Sequence, residues 1–130
     1  MEKKERKRYI PWASKEKPKE YRPRKGDIVL MDTYGTGHVQ NGRRPTVIVS
    51  GNYFNRISKG LVQICPITTS DHIFMYRVGL DDRTKTSGSV LCDQIRIADL
   101  KDSNPVFLER LPEDLIQKVL ESTKDIQSRD

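Results

Sequence analysis

No run in this 130-residue chain approaches the roughly 18–20 consecutive apolar residues that a membrane-spanning helix needs. The basic N-terminus is not followed by an apolar segment, so no secretory signal is expected and the cytoplasm is the compartment implied. Histidine and cysteine are scarce, with two of each. His38 and His72 are far apart, and Asp81-Asp82 is the one acidic pair in the strand-rich region, so no metal site is expected. Cys65 and Cys92 lie inside apolar runs and read as buried thiols rather than a disulfide. There is no GxGxxG or Walker-type loop, and the length leaves no room for a separate substrate domain. Dinucleotide-dependent enzymes are thereby excluded, and no cofactor is expected.

What the chain does have is charge, unevenly placed. Charged residues make up 32% and hydrophobic residues 35%. Residues 1–25 hold eleven Lys/Arg against four Glu, a net +7, and the rest holds thirteen basic against fourteen acidic residues, a net −1, which together give the overall +6. Residues 1–24 read as a disordered basic arm broken by Pro11, Pro18 and Pro23. Within it Tyr9, Ile10 and Trp12 form a short patch that could dock on the body. Residues 25–130 form the single domain.

The body alternates β-rich runs with turn residues. Asp27 to Asp32, Pro45 to Ser50, Leu61 to Thr68, Met75 to Leu80 and Ser89 to Ile97 predict five strands. Pro66 marks an edge or a bulge in the third. Asn52 to Arg56 predicts one helical turn capped by Asn52. Pro112 suits a first helical position, Glu113 and Asp114 suit the positive end of the dipole, and Leu115, Ile116, Val119 and Leu120 recur at helical spacing. The expected fold is mainly β with α: a small barrel with a C-terminal helix.

Three places carry polar chemistry. The loop Gly37 to Pro45 holds His38, Arg43 and Arg44. Arginine presents a planar fork to phosphate, and histidine moves protons near neutrality. The competing reading is a solvated loop. Thr68, Thr69 and Ser70 offer three hydroxyls at a strand end, as phosphate donors or as a turn cap. In Cys92 to Arg96, strand alternation would put Cys92, Gln94 and Arg96 on one face and Asp93 on the other, where an ion pair would explain it. Phosphodiester cleavage without a metal needs an internal nucleophile or side-chain acid–base groups, and RNA supplies the nucleophile as its 2′-OH.

Together these segments resemble the MazF/PemK (Kid) family of toxin endoribonucleases. Four blocks carry the likeness, in the family's order and spacing: Lys25-Gly26-Asp27-Ile28-Val29, Gly42-Arg43-Arg44-Pro45, Pro66-Ile67-Thr68, and Cys92-Asp93-Gln94-Ile95-Arg96 before Ala98-Asp99. The resemblance implies an SH3-like barrel of the CcdB/PemK type, a homodimer, and sequence-specific cleavage of single-stranded RNA without metal, leaving 2′,3′-cyclic phosphate and 5′-hydroxyl ends. It also implies a partner antitoxin with an acidic tail. Position by position it makes Arg44, Thr68, His38 and Asp93 the expected catalytic residues. Lys25, Gly42, Arg43, Thr69, Gln94 and Arg96 are the expected RNA contacts. Leu91 stands where the Kid-type pattern has arginine, and Val39 where glutamate is common. Two alternatives share the fold: a CcdB-like toxin that binds gyrase without cutting, and an RNA-binding barrel without cleavage.

Overall fold

The run from Asp27 to Thr33 is apolar without alternation because both of its faces are covered. In the computed structural model, which describes residues 21–33, 42–70 and 75–130, nearly every residue of this strand (β1, Asp27–Thr33) is buried. Its even-numbered members Ile28 and Leu30 enter the main core, and Val29 and Met31 enter a second, smaller one. A strand between two apolar layers needs this composition.

The remaining elements are β2 (Gly42–Ile48), α1 (Asn52–Ile57), β3 (Leu61–Thr68), β4 (Arg77–Gly79), β5 (Ser89–Leu91), β6 (Arg96–Asp99), β7 (Val106–Arg110) and α2 (Glu113–Ser128). The pairing order is β4-β5-β3-β2-β1-β7, with β6 also on β3, and every pair is antiparallel. Residues from β1, β2, β3, β4, β5 and β7 share one core with Leu115, Ile116 and Val119 of α2, so the sheet curls around its main core. The smaller core, with Ile48, Val62 and Ile64, lies on the outer face under Leu100.

The observed architecture is the mainly β barrel with a C-terminal helix that the sequence predicts, with seven strands rather than five. The expected strand Ser89 to Ile97 is divided by a 3₁₀ turn at Cys92–Gln94, which breaks the predicted alternation of Cys92, Gln94 and Arg96. The strand Val106–Arg110 was not expected. Gly51, not Asn52, occupies the cap position of α1, and the Asn52 side chain instead accepts the Lys25 N–H at 2.9 Å. Pro112 precedes α2 as its cap residue instead of opening its first turn.

Two residues assigned to the arm, Tyr21 and Arg24, are fixed to the body. The Asp27 carboxylate is 1% exposed and accepts bonds from the Tyr21 hydroxyl, the Arg24 N–H and Arg110 Nη1. Burial first, and the bond to Asp27 second, push the Tyr21 hydroxyl far above its usual pKa. The Tyr21 ring also packs beside Phe107, centroids 6.0 Å apart. The expected docking patch at Tyr9 to Trp12 lies outside the described residues.

Candidate active site

Arg44 and Thr68 are brought to the same face of the sheet by register. In the β1–β2 hairpin Arg44 stands opposite Met31, and Arg43 opposite Asp32. In β2–β3 the ladder ends at Thr46 opposite Pro66, and the same register carried two residues on aligns position 44 with position 68. In β3–β6 Arg96 is opposite Ile64. Side chains alternate along a strand, so Arg44, Thr68 and Arg96 share the face of Met31 and Ile64. A cleft of ≈ 270 Å³ lies nearby, lined by Met31, Asp32, Thr33, Ile64, Arg96 and Asp102 among others; neither Arg44 nor Thr68 is in its lining.

Thr68 ends β3 half-buried, and its Oγ1 accepts the Ser70 N–H at 3.1 Å. The turn-cap reading is therefore correct locally, and it leaves the hydroxyl proton available to a ligand. Thr69 and Ser70 follow, exposed. Asp93 and Gln94 sit exposed in the 3₁₀ turn. Among the described residues no ion pair involves Asp93, so the structural ion pair considered for it is not formed there.

The two cysteines are free and fully buried, as expected. Burial, followed by the neighbouring Cys92 and Asp93, pushes the Cys65 thiol up to about 12. Burial, with Asp93, pushes Cys92 up to about 11. Neither is a nucleophile at neutral pH.

Two further candidate residues, Arg43 and Lys25, lie away from the face shared by Arg44 and Thr68. Arg43 projects to the opposite side of β2 from Arg44. Its Nη1 donates to Asp32 Oδ1 at 2.8 Å and its Nη2 to the Asn104 carbonyl at 2.7 Å. Lys25 sits in the turn before β1, with Gly26 at φ +95 beside it, six positions in sequence from Met31. Gly42 opens β2 with φ +139, and its carbonyl accepts the Thr33 hydroxyl at 3.1 Å. His38 lies outside the described residues, between the paired ends Thr33 and Gly42.

The sequence reading missed Asn104, whose side chain bonds Asp32 across 72 positions, and Gly88, which packs on the Thr68 carbonyl. Asp-Ser-Asn-Pro signals a turn, but nothing in it names Asp32 as a partner. Among the described residues no three His, Cys, Asp or Glu side chains gather as a metal site, and both histidines lie outside them.

Residues 24–126 match the family model of PemK-like, MazF-like toxins of type II toxin-antitoxin systems. This chain belongs to that family. It is 37% identical over 101 residues to the endoribonuclease PemK of Escherichia coli, covering 74% of this chain and 75% of that protein. MazF of Deinococcus radiodurans has the same fold, with a TM-score of 0.76 at 30% identity over 83% of this chain and 98% of that one. MazF in a MazE–MazF complex of the same organism gives 0.74 at 26% identity, over 85% and 100%. For the PemK/MazF member described here, the expected family is thus the one found.

Proposed function

We propose that the protein is the endoribonuclease toxin of a type II toxin-antitoxin pair, cutting single-stranded RNA at the face that carries Arg44 and Thr68. The supporting observation is the β2–β3 register, which gives these two residues, 24 positions apart in sequence, the same face of the sheet. The 2′-OH attacks the adjacent phosphorus in line, its proton passing to Asp93 or His38. The new 2′-O–P bond forms as the P–O5′ bond breaks, giving a 2′,3′-cyclic phosphate and, once O5′ is protonated, a 5′-hydroxyl. Arg44 stabilises the dianionic phosphorane. Its pKa, above roughly 12, suits that role better than proton donation. Thr68 holds a non-bridging oxygen with its free proton. Gly42, Thr69, Gln94 and Arg96 contact the strand, and a second copy completes the groove.

The acidic tail of an antitoxin would compete for the same cations. The protein acts in the cytoplasm on this reading. No helix among the described residues is long and apolar enough to cross a membrane.

Replacing Arg44 by alanine tests the reading. Loss of a preorganised phosphorane donor is expected to lower the cleavage rate by about 10²–10³, with far-UV circular dichroism unchanged. A substrate with 2′-deoxyribose at the cut site should not be cleaved. Cleavage by Arg44→Ala within about tenfold of the wild-type rate overturns the assignment. Toxicity that survives Arg44→Ala without RNA cleavage would favour the gyrase-binding alternative.

A further inference from the structure

We propose that the cleft beside Arg44 is a guanine-reading subsite, in which Asp102 and Arg96 recognise the base of a nucleotide flanking the cut. The proposal rests on the reading of Arg44 as the residue at the scissile phosphate.

Register sets the cleft next to that phosphate position. Met31, in its lining, is the cross-strand partner of Arg44. Side chains paired in this way stand about 5 Å apart at their Cβ atoms. A strand whose phosphate meets Arg44 therefore has a flanking base within reach of the cleft. Its ≈ 270 Å³ is just under the range of small-ligand pockets, which begins at about 300 Å³, and suits one base rather than a whole nucleotide.

The charges of the cleft select a base edge over a phosphate. Among the described residues three carboxylates, Asp32, Asp99 and Asp102, line it beside one guanidinium, Arg96. Carboxylates repel phosphate and accept the N–H groups of a base. The RNA backbone thus stays over Arg44 while the base turns in. Two of the three carboxylates are engaged within the fold. Asp32 accepts bonds from Arg43 and Asn104, and Asp99 Oδ1 accepts the Lys101 N–H at 3.0 Å. Asp102 and Arg96 are different. They carry opposite charges and line the same cleft, yet among the described residues neither is in an ion pair. The space between them suits a group that donates to one and accepts from the other.

Guanine fits that description better than the other bases. Its N1–H and N2–H are adjacent donors for the two oxygens of one carboxylate, and its O6 and N7 are adjacent acceptors for a guanidinium fork. Adenine, cytosine and uracil each offer a single donor group. Met31 and Ile64 give the cleft an apolar floor, and Ile97, 52% exposed on the edge strand β6, gives it an apolar wall for the ring. Unpaired bases of single-stranded RNA present both their edges and their faces to such a site.

The test uses the full chain and oligoribonucleotides that differ only in the bases flanking the cut. Guanine is replaced there by adenine, inosine or 7-deazaguanine. Adenine is expected to lower kcat/KM by about 10- to 100-fold, the discrimination that a bidentate pair supplies. Inosine lacks the N2 amino group and reads Asp102, while 7-deazaguanine lacks N7 and reads Arg96. Each is expected to cost about tenfold, the loss of one charge-assisted bond. Asp102→Asn, an exposed substitution, should lower cleavage of the guanine RNA by a similar factor, and in this variant inosine should cost nothing further. Binding of the same RNAs to Arg44→Ala, followed by fluorescence anisotropy, should rank them in the same order without turnover. Equal cleavage and equal binding of the guanine and inosine RNAs overturn the proposal. An inosine penalty that survives unchanged in Asp102→Asn overturns it too. A guanine preference in binding, with no RNA cut by the wild-type protein, would instead support the subsite and overturn the nuclease reading, so the two failures are distinct.

Discussion

Replacing Gly88 by alanine puts a methyl group where the fold has no room for one. Gly88 leads into β5 with φ +119, and its carbonyl accepts the Leu80 N–H at 2.9 Å. A Cβ at this position would lie 2.2 Å from the Thr68 carbonyl oxygen and 2.9 Å from its carbon, where ordinary contact begins at 3.4 Å. The shortfall is therefore about 1 Å, and it is against backbone, which cannot rotate away as a side-chain tip can. The φ strain costs about 1–3 kcal/mol and the overpacking a similar amount, so Gly88→Ala is expected to lose about 2–6 kcal/mol. A domain whose stability lies above about 6 kcal/mol, within the ordinary range of about 5–15, stays folded through that loss. Relief by movement of Thr68 would misplace the proposed phosphate donor by about 1 Å, a displacement worth about 10²-fold in kcat.

Two other glycines separate strain from chemistry. Gly26→Ala meets the Ile116 side chain at 2.3 Å with φ +95, at the end of β1 remote from Arg44. It should lose stability and keep kcat. Gly51→Ala has open space and an extended backbone, so it should stay within about 0.5 kcal/mol of wild type. Urea denaturation followed by circular dichroism, with cleavage assayed well below the unfolding midpoint, reads both quantities. Wild-type kcat in a folded Gly88→Ala protein would refute the link between Gly88 and Thr68.

Two further predictions concern charge. Arg83 ties the turn after β4 to α2 by bonds to Asp81 and Asp114, and it holds the Asp81 carboxyl down to about 2 and that of Asp114 below its usual value. A depressed carboxylate stabilises the fold above its unfolded pKa, and that contribution fades as pH falls. Arg83→Ala should thus be less stable than wild type near neutrality, with the difference closing between about pH 4 and pH 2 in low salt. A difference that stays constant down to pH 2 would show that the pairs do not stabilise the fold. Deleting residues 1–20, which carry eight basic and four acidic residues, leaves the Tyr21 anchor in place. It should leave the cleavage motif unchanged and flatten log affinity against log salt by about 0.7 for each RNA phosphate that the segment neutralises. An unchanged slope would show that this segment does not touch RNA.

The parts of the fold legible in the sequence are those whose burial repeats with a simple period. β1, β2 and β3 read as strands because Ile28 to Met31, Val47 to Val49 and Ile64 to Ile67 are buried in continuous runs. The stripe of α2 reads as a helix because Leu115, Ile116 and Val119 point the same way. The run Ser89 to Ile97 misleads because β3 is too long for one partner on that side. Between the Ile67–Val90 and Ile64–Arg96 pairs, β3 advances three residues while the opposing chain advances six. The 3₁₀ turn Cys92–Gln94 takes up the surplus. Pro66, flagged as an edge or bulge, lies in that gap between β5 and β6, where no partner asks for its missing N–H. β7 escaped notice because its five residues mix burial and exposure, and the β1 strand that pairs with it lies some eighty positions away.

The site divides in the same way. Arg44 and Thr68 could be named from local motifs, but their juxtaposition depends on β2–β3 register, which no single segment contains. For Arg43 the motif alone does not settle the face. Gly-Arg-Arg-Pro reads as two cations offered to phosphate, yet alternation must send adjacent side chains to opposite faces. Only one of the two can share a face with Thr68. The other needs a partner on the far side, and Asp32 stands there in register. Alternation along a confident strand would have separated the two arginines from sequence alone. Asn104 could not have been found this way, since its bonds to Asp32 and Arg43 form only where the β6–β7 connection meets the hairpin mouth. The charge of Arg43 is accordingly taken up inside the fold, its guanidinium bonded to Asp32 and to the Asn104 carbonyl.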